Sequence, residues 1–135
     1  MKIKGINHIT IAVKNIEESF AFYTELLGLK KVMQSRTSAY LEAGDHWIAL
    51  VRDDEMTQTK NYSHIAFSVA KDDYELLVQL LKNNSVLEWR ENTTEGDSFY
   101  FLDPSGNKLE LHVGDLKTRI TDGKQNWRDN VEWYV

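Results

Sequence analysis

NHITIAV at residues 7–13 and YSHIAFSV at residues 62–69 are blurred copies of one strand, each with a histidine near its start. Side chains alternate along a strand, so Ile9, Ile11 and Val13 share a core face and His8, Thr10 and Ala12 take the other. In the second copy Ile65, Phe67 and Val69 face the core, which leaves Tyr62, His64, Ala66 and Ser68 opposite. The segments after the two copies also resemble each other. Asn15 with Glu18 three residues on has the pattern of a capping box, and Ile16, Phe20, Tyr23 and Leu27 recur at helical spacing until Gly28. After the second copy, Asp72 and Asp73 precede Tyr74, Leu77, Val78 and Leu81, with Asn83 and Asn84 as stop signals. Each predicted helix leads into short strand-like runs, KKVMQ, SAYLEA and HWIALV in the first half and VLEWRE, SFYFLD and KLELHV in the second. The turn Asp103-Pro104-Ser105-Gly106-Asn107 makes the last two a hairpin.

The expected architecture is therefore α+β, a single domain over 1–135 built from two βαβββ modules, 4–58 and 61–114, with a C-terminal tail at 115–135. Neither module alone has room for much of a core, so the two should pack together or against copies in a partner chain. The tail segment DGKQNWRDNVEWYV has no clear periodicity, and its aromatic residues are expected to pack on a partner or a pocket rim.

Composition narrows the function. The 135 residues hold no cysteine, which excludes disulfides, thiolate metal sites and a cysteine nucleophile, so any sulfur chemistry must arrive with a substrate. A net charge of −5 without a basic stretch argues against nucleic acid or an anionic membrane as the main partner. No apolar run approaches the ~20 residues of a membrane span and no signal-peptide pattern opens the chain, so a cytoplasmic location is expected.

In the closing hairpin Leu109, Leu111 and Val113 face the core, while Lys108, Glu110 and His112 look away together with Ser98 and Tyr100. Polar groups from both modules thus line one concave side. Two neutral imidazoles and one carboxylate form a three-ligand set for a divalent metal and leave positions open for substrate, and His8, His64 and Glu110 are that set. A lone strand histidine is ordinarily structural, but two at equivalent positions of a duplicated strand shift the balance toward metal binding. His46, in a turn, and His112, which would be a fourth ligand, stay outside the set.

The paired histidines, the βαβββ duplication and the terminal ELH resemble the vicinal oxygen chelate superfamily, which includes glyoxalase I, extradiol dioxygenases and the fosfomycin-resistance proteins. Within it, GINHITIAV, AFYTELLGLKK, AYLEAGDHWIAL, YSHIAFSV and EGDSFYFLDPSGNKLELHVGDLKTR are similar to FosA, the glutathione-dependent fosfomycin transferase branch, over almost the whole chain. The resemblance implies a metal, usually Mn(II), on His8, His64 and Glu110. It implies Thr10 against the oxyanion, Arg119 and Tyr100 on the phosphonate, and Arg90, where the branch often has lysine, with Ser98 beside them. Trp47, Tyr62 and Tyr40 match the pocket wall, with Tyr40 also a candidate for handling the thiol proton. Thr94, Glu95 and Ser98 resemble the branch's potassium loop, with Thr94 where a serine is usual. The implied reaction is addition of glutathione to the epoxide of fosfomycin by a homodimer in which His8 of one subunit meets His64 and Glu110 of the other. Sister branches use another thiol or water; the water branch's extra carboxylate base and longer first half are not evident in this sequence, Glu42 being the one carboxylate that could be imagined as that base. Two further classes fit the fold, a non-haem Fe(II) extradiol dioxygenase and a drug-sequestering protein, although the latter's relatives lack the metal triad.

Overall fold

The computed structural model describes residues 2–135. The chain runs β1 (His8–Val13), α1 (Ile16–Ala21), β2 (Lys30–Gln34), β3 (Ser38–Ala43) and β4 (His46–Arg52), then β5 (Ile65–Ser68), α2 (Lys71–Asn83), β6 (Glu88–Arg90), β7 (Ser98–Leu102), β8 (Lys108–His112) and α3 (Leu116–Asn126). Each half folds into a four-stranded sheet of the same order, β1-β4-β3-β2 and β5-β8-β7-β6. In each, the first strand lies parallel to the last and the remaining pairs are antiparallel. This is the expected α+β architecture with βαβββ repeated. Both histidine-bearing copies therefore sit at a sheet edge.

Strand parity holds as read. Ile11 and Val13 are buried and Ile9, Ile65 and Phe67 pack against the core, while His8, Thr10 and Ala66 face away. The second copy begins its ladder one residue late, so His64 leads into β5 instead of lying within it. Asn15 caps α1 by accepting from the Glu18 backbone amide at 2.8 Å. After Ala21 the helix widens into a π-helical turn over Phe22–Leu26, closed by Leu27 N donating to Phe22 O at 3.2 Å. Phe22 and Tyr23, which open this turn, are both buried.

The modules are latched by the β7–β8 turn. Asp103, buried, accepts from the backbone amides of Ser105 and Asn107 on Oδ1, both at 2.9 Å, and from Asn107 Nδ2 at 2.8 Å and Tyr23 Oη at 2.6 Å on Oδ2. Asn107 Nδ2 also donates to Ala12 O of β1 at 2.8 Å, and the Lys14 amide donates to Ser105 Oγ at 2.9 Å. Burial, and then the neighbouring Asp103 carboxylate, hold the Tyr23 phenol well above its ordinary pKa, so it remains a donor. Tyr23→Phe is expected to cost about 1.5–3 kcal/mol, the range for a buried hydrogen bond to a charged acceptor. A urea midpoint that falls at unchanged slope measures it; a midpoint equal to wild type would mean that the latch adds no stability.

The tail departs from expectation. Residues 116–126 form α3, opened by a full capping box between Asp115 and Thr118, a local signal that stands without apolar periodicity. Beyond it Trp127 and Trp133 stack at 5.7 Å and close over Gly123, where a Cβ would come within 2.7 Å of Trp133. The tail's aromatic pair thus covers its own helix. Among the described residues no helix is long and apolar enough to cross a membrane.

Candidate functional site

Register gathers the polar face of module two. Tyr100 pairs with Glu110 and Ser98 with His112 across β7 and β8, while Ala66 of β5 pairs with Glu110 from the other side. His64, two residues before Ala66, consequently points along the same face, and its Nε2 lies 2.9 Å from Glu110 Oε1. Around this pair stand Tyr62, Trp89 and Tyr100, with ring centroids 5.1, 5.3 and 5.9 Å from the His64 ring. The Arg90 guanidinium stacks over Tyr62 at 4.7 Å and Tyr100 at 5.6 Å, and Arg90 Nη2 donates to Thr93 Oγ1 at 3.0 Å.

The protonation pattern of His64 points to a cation. Nδ1 lies 2.9 Å from the Tyr62 carbonyl, which only accepts, so Nδ1 carries a proton. Nε2 faces a second acceptor, the Glu110 carboxylate, which is only 5% exposed. Two acceptors around one imidazole are satisfied by an imidazolium, or by a neutral ring whose Nε2 lone pair and Glu110 share a metal ion. The carbonyl behind Nδ1 is the outer partner that a ligating histidine ordinarily has. The residues fit a divalent metal.

A second network extends from Glu110. Ser98 Oγ donates to Glu110 Oε2 at 2.8 Å and lies 2.7 Å from His112 Nδ1. His112 Nε2 is 3.4 Å from Glu95 Oε1, which accepts from Arg119 Nε at 2.7 Å. The hydrogen bond with Glu95 raises the pKa of Arg119 further, against the opposing effect of burial. Arg119 thus reaches the site from α3 with Nε committed to Glu95. In the preceding loop Asn92 Oδ1 accepts from the Thr94 amide at 3.0 Å and Thr94 Oγ1 at 2.9 Å, while Asn92 Nδ2 donates to Gly96 O at 2.9 Å. Thr94 Oγ1 and Ser98 Oγ stand 3.5 Å apart. Gly96 has φ of +72° and a Cβ there would fall 2.5 Å from Val113 O, so backbone conformation and close approach both require glycine.

Module one supplies a separate half. His8 and Trp47 are register partners on β1 and β4, their rings 4.2 Å apart, and Tyr40 meets Trp47 edge-on at 5.1 Å. His8 Nδ1 is 2.7 Å from Asn7 Oδ1, which, like the carbonyl behind His64, leaves Nε2 for a ligand. Thr10 is exposed on the same face of β1. Glu42 lies on β3, with Oε1 3.8 Å from Lys30 Nζ.

The candidates therefore fall into two groups. His64, Glu110, Ser98, Tyr100, Tyr62, Arg90, Thr94, Glu95 and Arg119 converge on module two; His8, Thr10, Trp47 and Tyr40 belong to module one. Among the described residues no three His, Asp or Glu side chains of one chain converge in a metal-holding group. Sequence reading left Trp89 and His112 outside the site. Trp89 Nε1 donates to Leu109 O at 3.0 Å and its ring walls the His64 pocket. His112 shared Glu110's strand parity, the one signal that could have placed it there. An apolar cleft of about 940 Å³ lies elsewhere, on the core-facing side, lined by Ile9, Ile48, Ile65, Phe67 and Leu77.

Comparison with known proteins agrees with this fold. The model of the Glyoxalase/Bleomycin resistance protein/Dioxygenase superfamily matches residues 5–111. The chain is 45% identical over 122 residues to the glutathione transferase FosA of Serratia marcescens, covering 87% of this chain and 86% of that protein. It is 41% identical over 139 aligned positions to the metallothiol transferase FosB of Staphylococcus haemolyticus, covering 98% and 99%. Among solved structures, a mutant of the fosfomycin resistance protein FosX of Listeria monocytogenes, complexed with Mn(II) and 1S,2S-dihydroxypropylphosphonic acid, superposes with a TM-score of 0.77 at 25% identity, covering 87% of this chain and 98% of that one. By the family model over residues 5–111 and these identities, the chain belongs to the Glyoxalase/Bleomycin resistance protein/Dioxygenase superfamily and, within it, to the fosfomycin-resistance family of FosA, FosB and FosX.

Proposed function

We propose that this protein inactivates fosfomycin by adding the thiol of glutathione to its epoxide, at a Mn(II) site held by His8 of one subunit and His64 and Glu110 of a second. The observation that carries the reading is the His64–Glu110 pair, buried on one face of module two with its facing atoms 2.9 Å apart, in a chain 45% identical to a glutathione transferase. A divalent cation on these residues would act as a Lewis acid toward the epoxide oxygen.

The chain's own groups account for the rest. The phosphonate calls for cationic donors, and Arg119 and Arg90 border the same face, with the Tyr100 ring under Arg90 and in register with Glu110. Arg119 keeps its terminal nitrogens for substrate because Glu95 engages Nε. Thr10 follows His8 on the exposed face of β1 and offers its hydroxyl to the opened oxygen. Trp47 and Tyr62 wall the two sides, and Tyr40, against Trp47, is the candidate to take the thiol proton. For potassium, the oxygens on offer are the Thr94 and Ser98 hydroxyls and the carbonyls of their loop, ligands a hard cation accepts.

The dimer is part of the reading. His8 and His64 lie at edges of separate sheets, so a two-fold partner that brings one module against the other completes two ligand sets, one at each site. The cytoplasm, where glutathione is held, is the expected location.

The test mixes purified protein with Mn(II), potassium, fosfomycin and glutathione and looks for the adduct by mass spectrometry. Parallel arms omit metal or replace glutathione with cysteine, bacillithiol or water alone. A metal-dependent glutathione adduct is expected. Adduct with another thiol only, or the diol, moves the chain toward FosB or FosX; oxygen consumption on catechols with Fe(II), or drug binding without product, would replace the transferase reading.

A further inference from the structure

His112 is enclosed without an evident purpose of its own. A Cβ at Gly114 would come within 2.9 Å of its Nε2, so that glycine makes room for the ring. Its Nε2 is buried and has no hydrogen-bond partner among the described residues. Its Nδ1 is not idle. The Ser98 hydroxyl has one proton, and its oxygen lies 2.8 Å from Glu110 Oε2 and 2.7 Å from His112 Nδ1. A carboxylate only accepts, so Ser98 gives its proton to Glu110 and His112 Nδ1–H must donate to Ser98. Nε2, without a hydrogen bond, lies 3.4 Å from Glu95 Oε1.

We propose that His112 is a positioning residue for Glu110: by donating to Ser98 it commits the serine proton to Glu110 Oε2, which leaves Oε1 presented beside His64 Nε2. This rests on the reading of Glu110 as a metal ligand. Outer-shell donors of this kind orient a ligating carboxylate, and their loss weakens metal binding roughly 10–100-fold. His112 acts through Ser98 and touches no substrate.

The measurement is Mn(II) affinity of the full-length protein by titration calorimetry, with circular dichroism confirming the fold of each variant. His112→Leu and His112→Gln are expected to bind Mn(II) roughly 10–100-fold more weakly. His112→Asn, whose side-chain amide reaches the Nδ1 position, should stay close to wild type. Ser98→Ala should weaken binding as His112→Leu does, and His112→Leu added to Ser98→Ala should do nothing more. A packing role would not distinguish Asn from Gln. Wild-type affinity in His112→Leu or in Ser98→Ala, rescue by Gln but not Asn, or additive losses in the double variant would each overturn the proposal. Because Ser98→Ala is a small change, it decides the matter even if His112→Leu fails to fold. Glu110→Gln run alongside separates the two levels: affinity lost there but kept in His112→Leu defeats only the positioning role, and affinity kept in Glu110→Gln defeats the ligand reading itself.

Discussion

Glu110→Gln is expected to fold as well as the parent, to lose about 100-fold or more in Mn(II) affinity, and to lose turnover with it. The expected loss exceeds the roughly 10–100-fold of an outer-shell change because it removes the only anionic protein ligand. The fold should survive for a reason visible in the hydrogen bonds. Glutamine is close in size to glutamate, its carbonyl can take the Ser98 proton now given to Oε2, and its amide nitrogen can donate to the lone pair of His64 Nε2. The neutral amide can therefore satisfy these contacts, without metal, beside a neutral imidazole. Thermal stability of the metal-free variant should match or exceed that of the metal-free parent, while the parent alone gains stability when Mn(II) is added. Calorimetry and melting curves with and without Mn(II) check both halves. Parent-level turnover in Glu110→Gln with metal still bound would remove Glu110 from the ligand set.

Much of this site could be read from strand alternation because alternation is a local geometric rule. Once Ile9, Ile11 and Val13 were placed inward, His8 and Thr10 had to share the other face, and the same rule set Ser98 and Tyr100 beside Glu110. What escaped depended on distance or on competition between neighbours. His64 sits just before β5, since pairing begins at Ile65. The widening of the first helix into a π-helical turn over Phe22–Leu26 is announced by no regular periodicity. The helix α3 is too polar to show a stripe and is started by the Asp115–Thr118 box. Asp103 reads as a turn residue, yet its carboxylate also receives Tyr23 from eighty positions away, a contact no local pattern contains. Glu95 reads as a loop carboxylate, and in the fold its Oε1 also holds Arg119 Nε at 2.7 Å, an ion pair across 24 positions of sequence.

Two inactive variants should restore each other. His8→Ala lacks the module-one ligand and Glu110→Gln the module-two ligand, so homodimers of either are expected to be dead. In the shared-site dimer each site takes module one from one subunit and module two from the other. A heterodimer of the two variants then has one site carrying both changes and one carrying neither. Purified through two different tags, it should recover about half of the wild-type turnover, one good site of two. An unsorted equal mixture, in which half of the dimers are mixed, should recover about a quarter. The structure motivates the experiment, because His8 lies beside Trp47 on one sheet while His64 and Glu110 lie on the other, and both histidine-bearing edges are left for a partner to meet. A site closed within one chain predicts the opposite, since every chain would carry its own defect and the heterodimer would be as inactive as its parents. Recovery that disappears on dilution to monomer, and returns on concentration, would tie the activity to the dimer itself.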